Sequence, residues 1–143
     1  MIQGLYAITP SGLEENDLLT KTEVLLKEGI KLIQYRDKIL DKKTFQEKAN
    51  TLLKLTKKYG AKLVINDHVE ICLEISADGF HLGLEDYSSE GNVDLLKKNK
   101  EFISKNLICG LSCKWNKELV VNPPENEIKW TYLAVGSFYP SNT

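Results

Sequence analysis

No stretch of the 143 residues approaches the roughly 18 consecutive apolar positions that a membrane-spanning helix needs. The N-terminal MIQGLYAITPSGLEEND has no basic segment leading into a long apolar run. The expected location is therefore the cytoplasm. Charge of one sign is also missing: 19 Lys+Arg stand against 20 Asp+Glu, a net charge of −1. Such a chain has no overall basic field to draw it onto nucleic acid or an anionic membrane, although local patches stay open. Cysteine is sparse and odd in number. Cys72, Cys109 and Cys113 lie inside apolar segments, which fits buried reduced thiols better than a disulfide framework. There are two histidines, His68 and His81, and no second Cys/His pair at zinc spacing. Cys109 and Cys113 then read as packing residues, His81 as a hydrogen-bonded strand residue and His68 as the start of a helix. The absence of a nucleophile elbow, a Walker loop and a GxGxxG fingerprint argues against serine hydrolases, P-loop enzymes and typical dinucleotide-dependent dehydrogenases.

What is present is a 42% hydrophobic chain that reads as one soluble domain over residues 1–143. Short β-type runs alternate with amphipathic helical stretches from end to end, the mark of an α/β fold. The run from Gly4 to Thr9 stops at Pro10, and Leu18, Thr22, Leu25 and Leu26 then share one helical face up to Gly29. Leu32 to Arg36 is a second strand, followed by Phe45, Ala49, Leu52 and Leu53 at helical spacing up to Gly60. Lys62 to Asn66, Gly79 to Leu82, Leu107 to Leu111 and Tyr132 to Gly136 make four more strands. A short helix over Val69 to Leu73 and a longer one over about Asn92 to Ser104 lie between them. Pro123-Pro124 leaves room for little more than one helical turn over Glu118 to Val121. Six βα-type repeats suggest a doubly wound sheet or most of a barrel. A complete eight-stranded barrel usually takes about 200 residues or more, so length favours the sheet, or a barrel cut short.

In parallel α/β folds the binding groups collect beyond the carboxyl ends of the strands. Here those positions are polar. In Gln34-Tyr35-Arg36-Asp37-Lys38 the period of two sends Gln34, Arg36 and Lys38 to one side and Tyr35 and Asp37 to the other. Arg36 offers a planar fork for phosphate oxygens and Lys38 a mobile point charge, a pair suited to a diphosphate. A solvated strand end with an ion pair through Asp37 is the structural alternative. Strand three ends in Asn66-Asp67-His68, and Asp86 follows strand four. Two carboxylates from neighbouring strand ends are the kind of site Mg²⁺ takes, its octahedron completed by water and phosphate oxygens. Asp67 as a simple helix N-cap is the other reading. Ser112 closes strand five, and Ser137 to Thr143 bring small polar groups to the end of strand six, as a phosphate cradle or an ordinary turn.

Taken in order, LYAITP (Leu5 to Pro10), QYRDK (Gln34 to Lys38), INDHVEIC (Ile65 to Cys72), ADGFHLGLED (Ala77 to Asp86), GLSC (Gly110 to Cys113) and YLAVGSFYPSNT (Tyr132 to Thr143) resemble the thiamine phosphate synthase family over nearly the whole chain. The resemblance implies a (β/α)₈ TIM barrel with its active site at the carboxyl face. It implies a transferase of thiamine biosynthesis, acting on two small-molecule substrates, a pyrimidine diphosphate and a thiazole phosphate. By that match Gln34, Tyr35, Arg36, Asp37 and Lys38 hold the pyrimidine diphosphate, with contacts from Asn66 and Ser112. Asp67 and Asp86 match the Mg²⁺ ligands, and Ser141, Asn142 and Thr143 match the loop at the thiazole phosphate. Arg36 and Lys38 stand as the catalytic cations: diphosphate leaves the pyrimidine methylene and the thiazole nitrogen captures the resulting cation. A homo-oligomer is compatible with this reading.

The sequence departs from the family pattern at its end. There a lysine that contacts the diphosphate follows directly after the position of Thr143, and two further βα units complete the barrel. The expectation is therefore an incomplete barrel of about six βα units, C-terminally truncated, with the activity of the 143-residue form left open. A thiazole tautomerase-like paralogue and a non-catalytic phosphate-binding remnant are the alternatives. Retention of QYRDK with both Asp67 and Asp86 argues for the synthase, because a tautomerase has no diphosphate to eject.

Overall fold

The computed structural model describes residues 4–124 and 128–136. The elements in chain order are β1 (Tyr6–Ile8), α1 (Glu15–Lys27), β2 (Leu32–Tyr35), α2 (Lys42–Lys58), β3 (Lys62–Asn66), α3 (Val69–Glu74), β4 (Gly79–Leu82), α4 (Leu84–Tyr87), α5 (Glu90–Lys98), α6 (Lys100–Asn106), β5 (Ile108–Lys114), α7 (Lys117–Val121) and β6 (Tyr132–Val135). All six strands are parallel and lie in the order β1-β2-β3-β4-β5-β6. Sequential order means that every crossover runs the same way. A doubly wound sheet, whose order reverses at a switch point, is thereby excluded.

The sheet also curls. Laid flat, five inter-strand spacings of about 4.8 Å would hold β1 and β6 about 24 Å apart, beyond the reach of two facing side chains. Yet the hydroxyls of Tyr6 on β1 and Tyr132 on β6 lie 2.8 Å apart, their rings edge to face. The six strands therefore form an arc whose concave face closes on itself through side chains.

Alternation along the strands separates two environments. One set, including Ile33, Tyr35, Leu63, Ile65, Phe80, Leu82 and Cys109, points to the helical layer and is buried with Leu18 and Leu26 of α1, Phe45, Ala49, Leu52 and Leu53 of α2, Leu96 of α5 and Ile103 of α6. Each large aliphatic or aromatic side chain so buried contributes about 1.5–3 kcal/mol. The other set lines the concavity. All three cysteines are free and buried, as their apolar settings predicted.

Local chemistry accounts for most boundaries. Asp41 caps α2 by accepting from the backbone N–H groups of Lys43 and Thr44, each at 3.0 Å. The Pro123-Pro124 pair lies just beyond α7, which is five residues long. The helix expected over Asn92 to Ser104 is divided in two. Asn99 leaves the helical region (φ −110°, ψ 15°), and its side-chain amide donates to Leu95 O at 2.9 Å, so one residue ends α5 and begins α6. β5 runs three residues beyond its expected end, through a bulge between Ser112 and Lys114. Along the β1 edge, Leu5 and Ile8 are 74% and 56% exposed, and Leu25 of α1 lines the same small pocket as Ile8. No strand pairs with that edge among the described residues.

Three helices end in the same two hydrogen bonds. After α1, α2 and α3 the first residue beyond the cap takes a left-handed conformation: Gly29 (φ 89°), Gly60 (φ 60°) and Ser76 (φ 54°). The following N–H reaches back to the last turn in each case: Ile30 to Leu25 O, Ala61 to Thr56 O and Ala77 to Cys72 O. Ser76 bears a Cβ where the other two positions have none. Ser76→Gly should therefore raise stability by a few tenths of a kcal/mol, while Gly60→Ala should lower it by about 1 kcal/mol. Urea midpoints of the two variants, moving in opposite directions, check the assignment.

Candidate functional site

The concave face opens at the carboxyl ends of the strands into a cleft of about 500 Å³. Its walls are the alternate residues that point away from the helices: Tyr6, Gln34, Arg36, Asn66, His81, Ser112 and Tyr132, with Lys38 and Asp67 at the strand-end loops and Asp86 on α4. The period-of-two reading of the second strand holds in space. Gln34, Arg36 and Lys38 line the cleft, and Tyr35 and Asp37 do not. Tyr35 is 1% exposed and packs on Phe45 with ring centroids 4.4 Å apart. Asp37 is buried as a loop organiser, accepting from Gly12 N–H at 2.9 Å and Ile39 N–H at 3.0 Å. Ser141, Asn142 and Thr143 lie outside the described residues.

The charges meet at the loops after β3 and β4. Lys38 Nζ sits 3.6 Å from Asp67 Oδ2. Burial raises the Asp67 carboxyl above its usual range, and repulsion from the adjacent Asp86 carboxylate adds to the rise against the pull of Lys38. Asp67 has φ +65°, uncommon for a residue with a side chain. A helix N-cap normally has an extended backbone, and the cap of α3 is His68, so the alternative reading of Asp67 as an N-cap falls away. A residue not anticipated from the sequence ties the two loops: the Asn92 side-chain amide on α5 donates to Asp86 O at 2.7 Å and lies 3.4 Å from Asp67 O. Gly83 belongs to the same design, because a Cβ there would sit 2.9 Å from Asp86 Oδ2. Two carboxylates held this close, one destabilised as an anion, form a donor set that a hard divalent cation would relieve. Among the described residues no group of three or more His, Cys, Asp or Glu converges on one point, so a cation here would complete its shell with water or ligand oxygens.

A second polar group crosses the floor of the cleft. Gln34 Nε2 donates to Tyr6 Oη at 2.9 Å, and Tyr6 Oη is 2.8 Å from Tyr132 Oη. Tyr132 Oη is 2.9 Å from His81 Nδ1, and His81 Nε2 is 2.8 Å from Ser112 Oγ. Five residues from five strands thus touch in series. Burial pushes the His81 pKa down to about 4, which keeps the ring neutral near pH 7. Of the five, the sequence pointed to Gln34 and Ser112 as site residues and to His81 as a hydrogen-bonded strand residue. Tyr6 and Tyr132 carried no signal, because only the curl brings β1 to β6. Lys114, a further cation on the cleft wall, was reachable by continuing the alternation past Ser112.

The model of the family described as thiamine monophosphate synthase matches residues 5–143. The chain is 36% identical to the thiamine-phosphate synthase of Janthinobacterium sp. (strain Marseille), covering 98% of this chain and 63% of that protein. It is 34% identical to the thiamine-phosphate synthase of Nitrosospira multiformis, over 99% of this chain and 57% of that one. Among solved structures, a thiamine phosphate pyrophosphorylase from Pyrococcus furiosus superposes with a TM-score of 0.68 at 30% identity, over 94% of this chain and 60% of that one. The chain thus spans about three-fifths of the length of the curated relatives it matches.

The buried His81 makes a pH prediction. Its folded pKa lies below the unfolded value, so the stability it confers is complete above about pH 6.5 and is lost as pH falls through about 4. A shift of 6.5 to about 4 amounts to about 3 kcal/mol. Urea unfolding at pH 7 and pH 4 should show a loss smaller by about that amount in His81→Asn than in the unaltered chain. Equal losses would remove His81 as the source.

Proposed function

The chain belongs to the thiamine monophosphate synthase family, and on that premise we propose that its cleft binds a pyrimidine diphosphate and a thiazole phosphate and joins them into thiamine phosphate with release of diphosphate. The observation that carries the reading is the convergence of Arg36, Lys38, Asp67 and Asp86 on one cleft, with Lys38 and Asp67 in contact at 3.6 Å. We read the six-strand arc as six of the eight units of a TIM barrel, in line with its sequential parallel order.

The chemistry asked of the protein is modest. The C–O bond between the pyrimidine methylene and the diphosphate breaks, both electrons leave with the diphosphate, and the thiazole nitrogen lone pair forms the new C–N bond. No protein nucleophile is needed. What lowers the barrier is positive charge fixed where the leaving group gathers negative charge. Arg36 supplies a bidentate fork anchored on a backbone that Thr9 grips from both sides: Arg36 N–H donates to Thr9 Oγ1 at 3.0 Å, and Thr9 Oγ1 donates to Arg36 O at 3.1 Å. Lys38 supplies a mobile ammonium, and Ser112 and Asn66 supply neutral polar contacts on the same wall. Asp67 and Asp86 would hold Mg²⁺, which neutralises diphosphate charge when bound. The loop at Ser141, Asn142 and Thr143 is assigned to the thiazole phosphate by family resemblance alone.

Incubation of the 143-residue chain with both substrates and Mg²⁺ should yield thiamine phosphate and diphosphate; no product under saturating conditions would refute synthase activity for this chain. Arg36→Ala should weaken the pyrimidine diphosphate about tenfold or more and the thiazole phosphate little, by titration calorimetry. Equal losses would contradict the placement of Arg36. Asp86→Asn should abolish the Mg²⁺-dependent part of diphosphate binding while leaving the chain folded.

A further inference from the structure

The series of contacts on the cleft floor has a direction. An amide N–H only donates, so Gln34 Nε2, 2.9 Å from Tyr6 Oη, makes that oxygen an acceptor. Tyr6 has one proton to place, and its other partner is Tyr132 Oη at 2.8 Å. The Tyr132 proton then goes to His81 Nδ1, a neutral imidazole so engaged carries its own proton on Nε2, and that proton goes to Ser112 Oγ. The proton left over belongs to Ser112, at the carboxyl end of β5 where the cleft opens. The opposite direction would leave the Tyr6 proton to the open cleft, or to a Gln34 amide turned to present its oxygen, so the Nε2 contact favours the first direction.

The backbone is cut to fit this series. Gly110 lies between His81 on β4 and Tyr132 on β6 in the strand register. A Cβ at Gly110 would collide with the Tyr132 phenol and stand 2.6 Å from His81 Nδ1. The two rings stack across it, 5.6 Å apart and 18° from parallel. A strand interior ordinarily disfavours glycine, so this one marks a close approach that needs the room.

We propose that Tyr132 and His81 are positioning residues: Tyr132 donates to His81 Nδ1, fixes the imidazole as the Nε2–H tautomer, and thereby commits the Ser112 hydroxyl proton to the cleft, where it meets an anionic diphosphate oxygen. The ligand half of this statement rests on the reading of the cleft under Proposed function; the tautomer half does not. A committed donor is worth more to an anion than a free rotor, because no proton has to be turned on binding.

The test is the imidazole nitrogen spectrum of the ¹⁵N-labelled chain, with His68→Gln assigning the two histidines. His81 should show a single Nε2–H tautomer. An Nδ1–H tautomer, or a rapid mixture of the two, at His81 in the unaltered chain would overturn the proposal. Tyr132→Phe keeps the ring and removes the donor, so His81 should lose its single tautomer, and inorganic diphosphate with Mg²⁺ should bind about fivefold more weakly, the worth of one ordinary hydrogen bond. An unchanged tautomer in that variant would reduce Tyr132 to a packing role. A single Nε2–H tautomer in a chain that fails to bind diphosphate would leave the relay in place and overturn both its ligand and the function proposed above.

Discussion

Six parallel strands wound in one direction cannot leave their two surfaces equivalent, and the concavity that results is the constraint on which the rest of the molecule depends. The convex surface meets helices and takes Ile33, Leu63, Ile65 and Phe80. Among the described residues no helix meets the concave surface, so its side chains face each other across the arc. Polar groups there find partners on strands distant in order, as Tyr6 and Tyr132 do across a separation of 126 residues. The polarity of Gln34 and His81, each buried to within 7% exposure, is tolerable because the curl supplies those partners.

At the carboxyl rim the balance of charge is deliberately incomplete. Asp67 and Asp86 repel, Lys38 compensates one of them at 3.6 Å, and Asn92 holds the two loops together through their carbonyls. Asp67 keeps a left-handed backbone to reach that position. Strain and repulsion of this kind persist only where the surrounding structure enforces them, and they concentrate at sites built for a ligand that relieves them. The cations Arg36, Lys38 and Lys114 face the same space. The site thus holds two repelling carboxylates, one of them paired with Lys38, beside the cations Arg36 and Lys114.

Much of this was legible in the chain. The alternation of residues 34–38 placed Arg36 and Lys38 together, and strand ends at Asn66 and Leu82 announced where Asp67 and Asp86 would emerge. The helix expected over Asn92 to Ser104 failed at Asn99, because a side chain that bonds back to Leu95 O competes locally with helix continuation, a choice invisible to apolar periodicity. Asn92 went unnoticed because a helix-start asparagine is ordinary until two loops are seen to converge on it. Tyr35 and Asp37 belong to the matched motif yet turn to the helices and the β1 loop, which is what their odd positions in the strand required.

Sequence alone, then, determined the six strands and the main helices, the faces of the strands and the charged groups at their ends, since period, caps and turn residues act over a few positions and need no distant partner; α4 and the break at Asn99 escaped it. Local periods could not choose between a doubly wound sheet and a curled one, because both satisfy them; in the sequence only the resemblance of its ordered motifs pointed to the barrel. Tertiary structure made that choice through parallel pairing in sequential order, and with it decided that Tyr6 would meet Tyr132, that Gly110 would make room for His81, and that four charges from beyond three strand ends would share one cleft. Those outcomes depend on which strands become neighbours, and neighbourhood is a property of the assembled sheet that no single segment carries.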